Sequence, residues 1–237
     1  MTMETKELDI VYCVKSGEPN EELRYSLRSL KNMPHNKVWI FGFAPNWVNR
    51  ETVNVVEMKQ NGNSKWEKCA DSLRKIADTK ELTEDFIWFN DDFFVLKPIE
   101  KLDYWYDRDL ESRCHDFFVA FKGKAVNYPA RLTQAKFALA DANLPTLNYE
   151  LHLPIIFNRK KFKKLWKLYP GVGAKRSLYC NTYGVKGEQR PDCKVYQTYQ
   201  KANLKIDFIS TSDASFKDGQ VGKQIRNMFK EKCEYER

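Results

Sequence analysis

The sequence predicts an α/β protein in which a mostly parallel sheet is flanked by helices and followed by a loop-rich, basic C-terminal half. Three observations carry this. Apolar runs rich in β-branched and aromatic residues alternate with stretches of helical period through the first hundred residues, the pattern of βαβ units. One of those runs, residues 86–89, stops at Asn90-Asp91-Asp92 and resumes at Phe93, and open α/β sheets hold ligands at such carboxyl strand ends. Charge is divided as well: residues 1–100 carry 14 basic and 17 acidic side chains, a net of −3, whereas residues 101–237 carry 26 and 15, a net of +11. The chain reads as one domain over 1–237, with a nucleotide-binding half at 1–100 and a basic, acceptor-binding half at 101–237.

Taken in order, residues 8–14 form a β-rich apolar run that ends in a Ser16-Gly17 turn, a buried strand. Asn20 stands at an N-cap position, Leu23, Leu27 and Leu30 follow at helical spacing, and Pro34 stops the helix. Strands are expected over 38–43 and 53–58. Trp66, Cys69, Leu73 and Ile76 define an amphipathic helix from 65 to about 77, and residues 86–89 a central strand. In the second half a strand is expected over 117–121, a helix over 132–142, a strand-like run over 149–157 and a basic helix over 159–168. A loop-rich stretch surrounds Gly171, Gly173, Gly184 and Gly187. No internal repeat or linker composition interrupts the chain.

Apolar residues at 42% and aromatics at 14% exclude a disordered chain. Six cysteines without a CxxC pair and three histidines argue against structural zinc. Cys13 and Cys69 read as small core residues, and the thiols as reduced. The charged N-terminus lacks a signal-peptide stretch, and no segment approaches the ~20 apolar residues of a membrane span. A cytoplasmic protein without membrane insertion is expected, in a bacterial or phage-infected cell.

An apolar strand cannot leave Asp91 and Asp92 unpaired. Asn and Asp favour turns, so one reading is a strand that simply ends there. The other is a hard divalent cation, Mg²⁺ or Mn²⁺, held by the two carboxylates and completing its shell with water and substrate phosphates. Arg24, Arg28 and Lys31 make a basic helical stripe suited to a diphosphate, or else a solvated face paired with Glu21 and Glu22. His152 sits in an apolar run two residues after Glu150; on an alternating strand both would face one side, giving a histidine oriented for proton transfer. A satisfied core histidine is the alternative. Arg176 and Asp192 fall in the loop-rich part, where a further cation could meet phosphate charge.

Four runs, in order, resemble the conserved blocks of the Stealth family: Asp9-Ile10-Val11-Tyr12, Glu22-Leu23-Arg24-Tyr25-Ser26-Leu27-Arg28-Ser29-Leu30, Phe86-Ile87-Trp88-Phe89-Asn90-Asp91-Asp92-Phe93-Phe94, and His152-Leu153-Pro154. These are sugar-1-phosphate transferases of capsule synthesis, related to the lysosomal-enzyme GlcNAc-1-phosphotransferase. The likeness covers about residues 9–180 and is greatest to short stand-alone members of the kind found in bacteriophage genomes. It implies a GT-A-like, Rossmann-like α/β fold, a nucleotide-diphosphate sugar such as a UDP-sugar, and metal and diphosphate binding at Asp91 and Asp92. It further implies that His152 is the catalytic histidine and Arg176 its arginine partner. Asp9, Arg24, Arg28 and Asn90 fall in matching blocks and are expected at the cofactor. Family members often continue the first block into Asp-Gly, whereas Lys15-Ser16-Gly17 stands here; the role of that acid is lost or has moved to Asp9.

The leading expectation is a metal-dependent transfer of sugar-1-phosphate to an acceptor hydroxyl. A GT-A glycosyltransferase that releases the nucleoside diphosphate is the second, acting on a cell-surface glycan or, given the +11 half, on modified DNA bases. A non-enzymatic nucleic-acid-binding module built on residues 159–167 is the third. The anionic acceptor is DNA or a phosphate-containing glycan.

Overall fold

A computed structural model describes residues 3–61, 65–120, 122 and 127–237. In chain order the elements are β1 (Met3–Glu4), β2 (Asp9–Val14), α1 (Glu21–Ser29), β3 (Val38–Gly42), β4 (Val53–Glu57), α2 (Lys65–Asp78), β5 (Asp85–Phe89), β6 (Phe93–Val95) and β7 (Lys101–Leu102). There follow β8 (Trp105–Tyr106), α3 (Leu110–Ala120), α4 (Asn127–Asp141), β9 (Ile155–Asn158), α5 (Arg159–Leu168), α6 (Lys175–Thr182), β10 (Glu188–Gln189) and β11 (Lys194–Val195). The last are β12 (Phe208–Thr211), α7 (Asp213–Lys217) and α8 (Gln220–Met228).

The chain divides into two compact units. The larger holds Met3–Leu102, His152–Arg159 and Cys193–Arg237; the smaller holds Asp103–Leu151 and Lys160–Asp192. The halves at 1–100 and 101–237 expected from composition do not coincide with these units, because two later segments return to pair with strands of the first hundred residues.

The larger unit is built on a five-stranded sheet of order β4-β3-β2-β5-β9, with β2 parallel to both β3 and β5, β3 parallel to β4, and β9 antiparallel to β5. Ile10, Val11, Tyr12 and Val14 of β2 and Phe86, Ile87 and Phe89 of β5 are almost wholly buried, as a strand covered on both faces requires. Each such side chain contributes roughly 1.5–3 kcal/mol. The chain moves outward from β2 to β3 and β4, then crosses back to place β5 on the other side of β2. The order of strands therefore reverses between β2 and β5, the switch point where α/β sheets bind ligands.

A second sheet, β11-β12-β6, begins directly after the β5 turn. It packs Phe94, Val195 and Ile209 with Phe216, Val221, Ile225 and Phe229 of the C-terminal helices. Two buried serines on the inner face of α1 fasten it to β6: Ser26 Oγ lies 2.5 Å from the Phe93 carbonyl and Ser29 Oγ accepts from Val95 N at 3.0 Å. These bonds satisfy strand groups that the short β6 would otherwise leave open, and they hold the C-terminal half of α1 against β6.

In the smaller unit the run at 117–121, expected as a strand, belongs to α3 through residue 120, and Phe121 lies outside the described residues. Phe117 packs edge-on against Tyr128 of α4 at 5.1 Å, so helix-on-helix packing overrides local β-preference. The expected helix over 132–142 is α4, which begins at Asn127. The loop-rich stretch contains a buried helix, α6. Of the 149–157 run only residues 155–157 are strand, in β9, so Glu150 and His152 do not share a strand face. None of the six cysteines is joined in a disulfide, and Cys13 and Cys69 are half-buried. No helix among the described residues is long and apolar enough to cross a membrane.

Candidate active site

Asn90-Asp91-Asp92 forms the turn that joins β5 to β6, closed by Phe93 N donating to the Asn90 carbonyl at 3.2 Å. The residues are thus a turn, and it lies at the carboxyl edge beside the switch point. Asn20 reaches it from α1: its side-chain oxygen caps Leu23 N at 3.1 Å while its amide donates to Asp91 Oδ2 at 2.9 Å. Burial and the neighbouring Asp92 charge push Asp91 up to about 6. Glu22, in the first turn of α1, accepts from Thr211 Oγ1 at 2.7 Å. Its pKa is pushed up to about 8 by burial first, and then by Asp92, Asp91 and Asp213. Both shifts follow from carboxylates crowded where water is scarce.

Asp92 is held from the second sheet. Thr211 N donates to its carbonyl at 3.2 Å, and Lys194 Nζ lies 2.5 Å from Oδ2, both side chains 14% exposed. Its other oxygen, Oδ1, is buried and has no hydrogen-bond partner among the described residues. Such a group costs about 1–3 kcal/mol when left unsatisfied, so the turn carries an acceptor suited to a ligand. His152 enters just before β9. Trp88 pairs with Ile155 in the antiparallel register of β5 and β9, so the start of β9 lies at the carboxyl end of β5, and Cys193 Sγ, next to Lys194, donates to the His152 carbonyl at 3.1 Å. The His152 ring meets Tyr196 edge-on at 6.1 Å, and the Lys194 ammonium lies 5.9 Å from the centroid of the Tyr196 ring.

Asn90, Asp91, Asp92 and His152 therefore belong to one unit and one edge. The other expected residues stand elsewhere. Asp9 lies at the amino end of β2, buried, where its two oxygens accept from Asn36 Nδ2, Lys37 N, Trp39 Nε1 and Thr83 N. Its carboxylate ties strand starts together at the opposite end from Asp91, so it does not replace the acid missing at Ser16. Arg28 forms a two-pronged pair with Glu236 at 2.6 and 2.8 Å and also donates to the Phe229 and Lys230 carbonyls. Arg24 pairs with Glu21 and lies 4.7 Å over Trp47. The arginine stripe expected at a diphosphate is engaged by the C-terminal segment and by surface neighbours, because the tail supplies the carboxylate that the stripe lacked. Arg176 lies in the smaller unit, 4% exposed, donating to the Leu151 carbonyl at 3.0 Å. Glu150 accepts from Ser177 N at 2.8 Å; burial raises its pKa and the Arg176 charge opposes the rise.

Sequence reading missed Lys194, Asn20 as a partner of Asp91, and Glu22. The signal for Lys194 was the alternation Cys193, Lys194, Val195, Tyr196, a short strand pattern. Among the described residues no three histidine, cysteine, aspartate or glutamate side chains gather as metal ligands. The oxygen-only pair Asp91 and Asp92, with one orphan oxygen, fits a hard cation that takes its remaining ligands from water and phosphate.

A cleft of about 470 Å³ opens along the carboxyl ends of β2, β3 and β4, lined by Ser16, Gly42, Glu57, Lys59, Gln60 and Lys68 among others. Gly42 has φ +117°, and a Cβ there would stand 2.1 Å from the Val14 carbonyl. Only glycine lets the strands meet so closely at this edge.

No known family profile matches the chain, and no curated protein sequence does. Solved structures do. A galactosyltransferase, LgtC, in complex with donor and acceptor sugar analogues, superposes with a TM-score of 0.54 at 9% identity, covering 94% of this chain and 95% of that chain. An active-site mutant of LgtC gives 0.52 at 10% identity, covering 93% and 95%. At such identities the likeness is one of fold, and the fold is the mixed, mostly parallel α/β arrangement of the GT-A glycosyltransferases.

Proposed function

We propose that the chain is a nucleotide-sugar-dependent transferase that moves sugar-1-phosphate from a nucleoside-diphosphate sugar, a UDP-sugar first among them, to an acceptor hydroxyl. The observation that carries the reading is the Asp91-Asp92 turn at the switch point of a glycosyltransferase-type sheet, with a buried carboxylate oxygen left open. The nucleoside is assigned to the cleft beside Gly42, whose volume suits a small ligand. Asp91 and Asp92 hold Mg²⁺ or Mn²⁺. When bound, the cation supplies Lewis-acid stabilisation of the diphosphate.

The acceptor oxygen attacks the phosphorus that bears the sugar, the bond to the nucleoside monophosphate breaks, and His152 takes the acceptor proton. A role for Arg176 toward phosphoryl charge rests on the resemblance to the capsule transferases alone. The fold likeness to a galactosyltransferase favours a second reading, in which the acceptor attacks the anomeric carbon and the nucleoside diphosphate leaves.

Incubating the protein with a UDP-sugar, Mn²⁺ and a set of glycan acceptors, and identifying the released nucleotide, separates the two: UMP marks sugar-phosphate transfer and UDP marks glycosyl transfer. Asp92→Asn and His152→Ala are each expected to abolish turnover while the protein stays folded. Full activity in either variant sinks the assignment.

A further inference from the structure

The closest ion pair at the turn carries a consequence for how ligands enter it. Lys194 lies at the head of β11, which runs parallel to β12 with Lys194 opposite Ser210; β12 in turn places Ser210 opposite Phe93 of β6. Register across three strands thus brings the Lys194 ammonium to Asp92 Oδ2 at 2.5 Å. The ammonium is in contact with Asp92 in a neighbourhood made mostly of carboxyl groups, Asp91, Asp92, Glu22 and Asp213, with Lys15 also acting on Asp91. A divalent cation on the open Asp92 Oδ1 and the ammonium on Oδ2 draw on one carboxylate charge and repel each other at that range. Asp92 Oδ1, buried without a partner, shows that the carboxylate is not saturated by the lysine alone.

We propose that Lys194 couples cation binding to donor binding. Before ligands bind, its ammonium offsets the Asp92 charge that the cation draws on. When a nucleoside diphosphate arrives the ammonium moves to phosphate oxygens, an exchange of one anionic partner for another, and Asp92 becomes free for the cation. Each ligand thereby raises the affinity of the other, as linkage requires. The inference rests on the nucleotide-sugar reading and goes beyond it by giving Lys194 a role that neither the sequence blocks nor the carboxylates provide.

Isothermal titration of the full chain with Mn²⁺ alone, UDP alone and each in the presence of the other tests it. In the wild type UDP is expected to tighten Mn²⁺ binding by roughly tenfold or more, within the usual range of coupling. Lys194→Met should bind Mn²⁺ alone more tightly than wild type, bind UDP more weakly, and show reduced mutual enhancement; Lys194→Arg, which keeps the charge, should retain wild-type behaviour. Asp92→Asn frees the lysine without removing it, so it should lose Mn²⁺ binding yet bind UDP in the absence of metal more tightly than wild type. That variant carries the test if Lys194→Met fails to fold. Unchanged Mn²⁺ affinity in folded Lys194→Met, or no gain in metal-free UDP binding in Asp92→Asn, overturns the coupling alone. A wild-type protein that binds neither UDP nor Mn²⁺ overturns the coupling and the proposed function together.

Discussion

Asn20 donates its side-chain amide to Asp91 Oδ2 at 2.9 Å while its side-chain oxygen caps the helix that begins one residue later. One side chain thereby couples the start of α1 to the acidic turn 71 positions away. Its backbone is left-handed, with φ 46°, a region that asparagine enters more readily than alanine.

Asn20→Ala should lower stability by about 2 kcal/mol, combining the lost cap with backbone strain. Asn20→Gly should cost less, since glycine relieves the strain and leaves only the lost bonds. Urea denaturation of the two variants checks the order; an alanine variant as stable as the glycine variant would remove the strain from the argument.

The two raised carboxyls make stability depend on pH with a definite sign. Asp91 at about 6 and Glu22 at about 8 lie above the ordinary carboxylate values of about 4. Between those limits the folded protein holds protons that the unfolded chain has released. Their contribution is full below about pH 4 and is lost as pH rises through 6 and 8. Glu22→Gln removes the upper part of this decline, so in metal-free buffer its stability advantage over wild type should grow from pH 6 to pH 8.5. An advantage that stays flat across that interval contradicts the crowding described for Glu22.

Arg28 and Glu236 are 11% and 5% exposed as side chains. Removing one partner of such a pair strands the other, and Arg28→Ala should cost about 3 kcal/mol. Because the guanidinium is committed to the C-terminal segment, the variant should bind UDP as wild type does once folded. A denaturation curve together with a UDP titration distinguishes this from the diphosphate role that the sequence suggested: weakened UDP binding in a fully folded variant favours the latter.

Asp9→Asn replaces an oxygen that accepts two N–H donors with an amide that offers two more. Loss of those bonds in a buried site should cost about 2–4 kcal/mol, read from the denaturation midpoint. The change leaves the acidic turn untouched, so Mn²⁺ affinity should hold; a variant of wild-type stability would show that the strand starts do not depend on this carboxylate.

Much of the first hundred residues was legible before any coordinates. The strands β2, β3, β4 and β5, the Asn20 cap and the leucine face of α1 follow from periodicity and capping chemistry, which report directly on how a backbone folds and which face it buries. The placement of Asp91 and Asp92 at a carboxyl strand edge followed from the same reasoning. The run at 117–121 misled, because five apolar residues in a row fit a short strand or a helix equally well and only the packing of Phe117 on Tyr128 decides between them. Residues 193–237 carry short elements whose periods are too brief to read, yet they supply two of the three strands of the second sheet, and Lys194.

Through the first hundred residues, local sterics, capping and the alternation of apolar side chains set which segments become strands and helices and which residue types end the central strand. Only the tertiary structure decided the partners: Lys194 for Asp92 across 102 positions, Glu236 for Arg28 across 208, and a ring of backbone and side-chain donors for Asp9. A charged side chain carries its chemistry in the sequence, but whether it serves a ligand or a neighbour depends on which opposite charge the fold brings within about 4 Å.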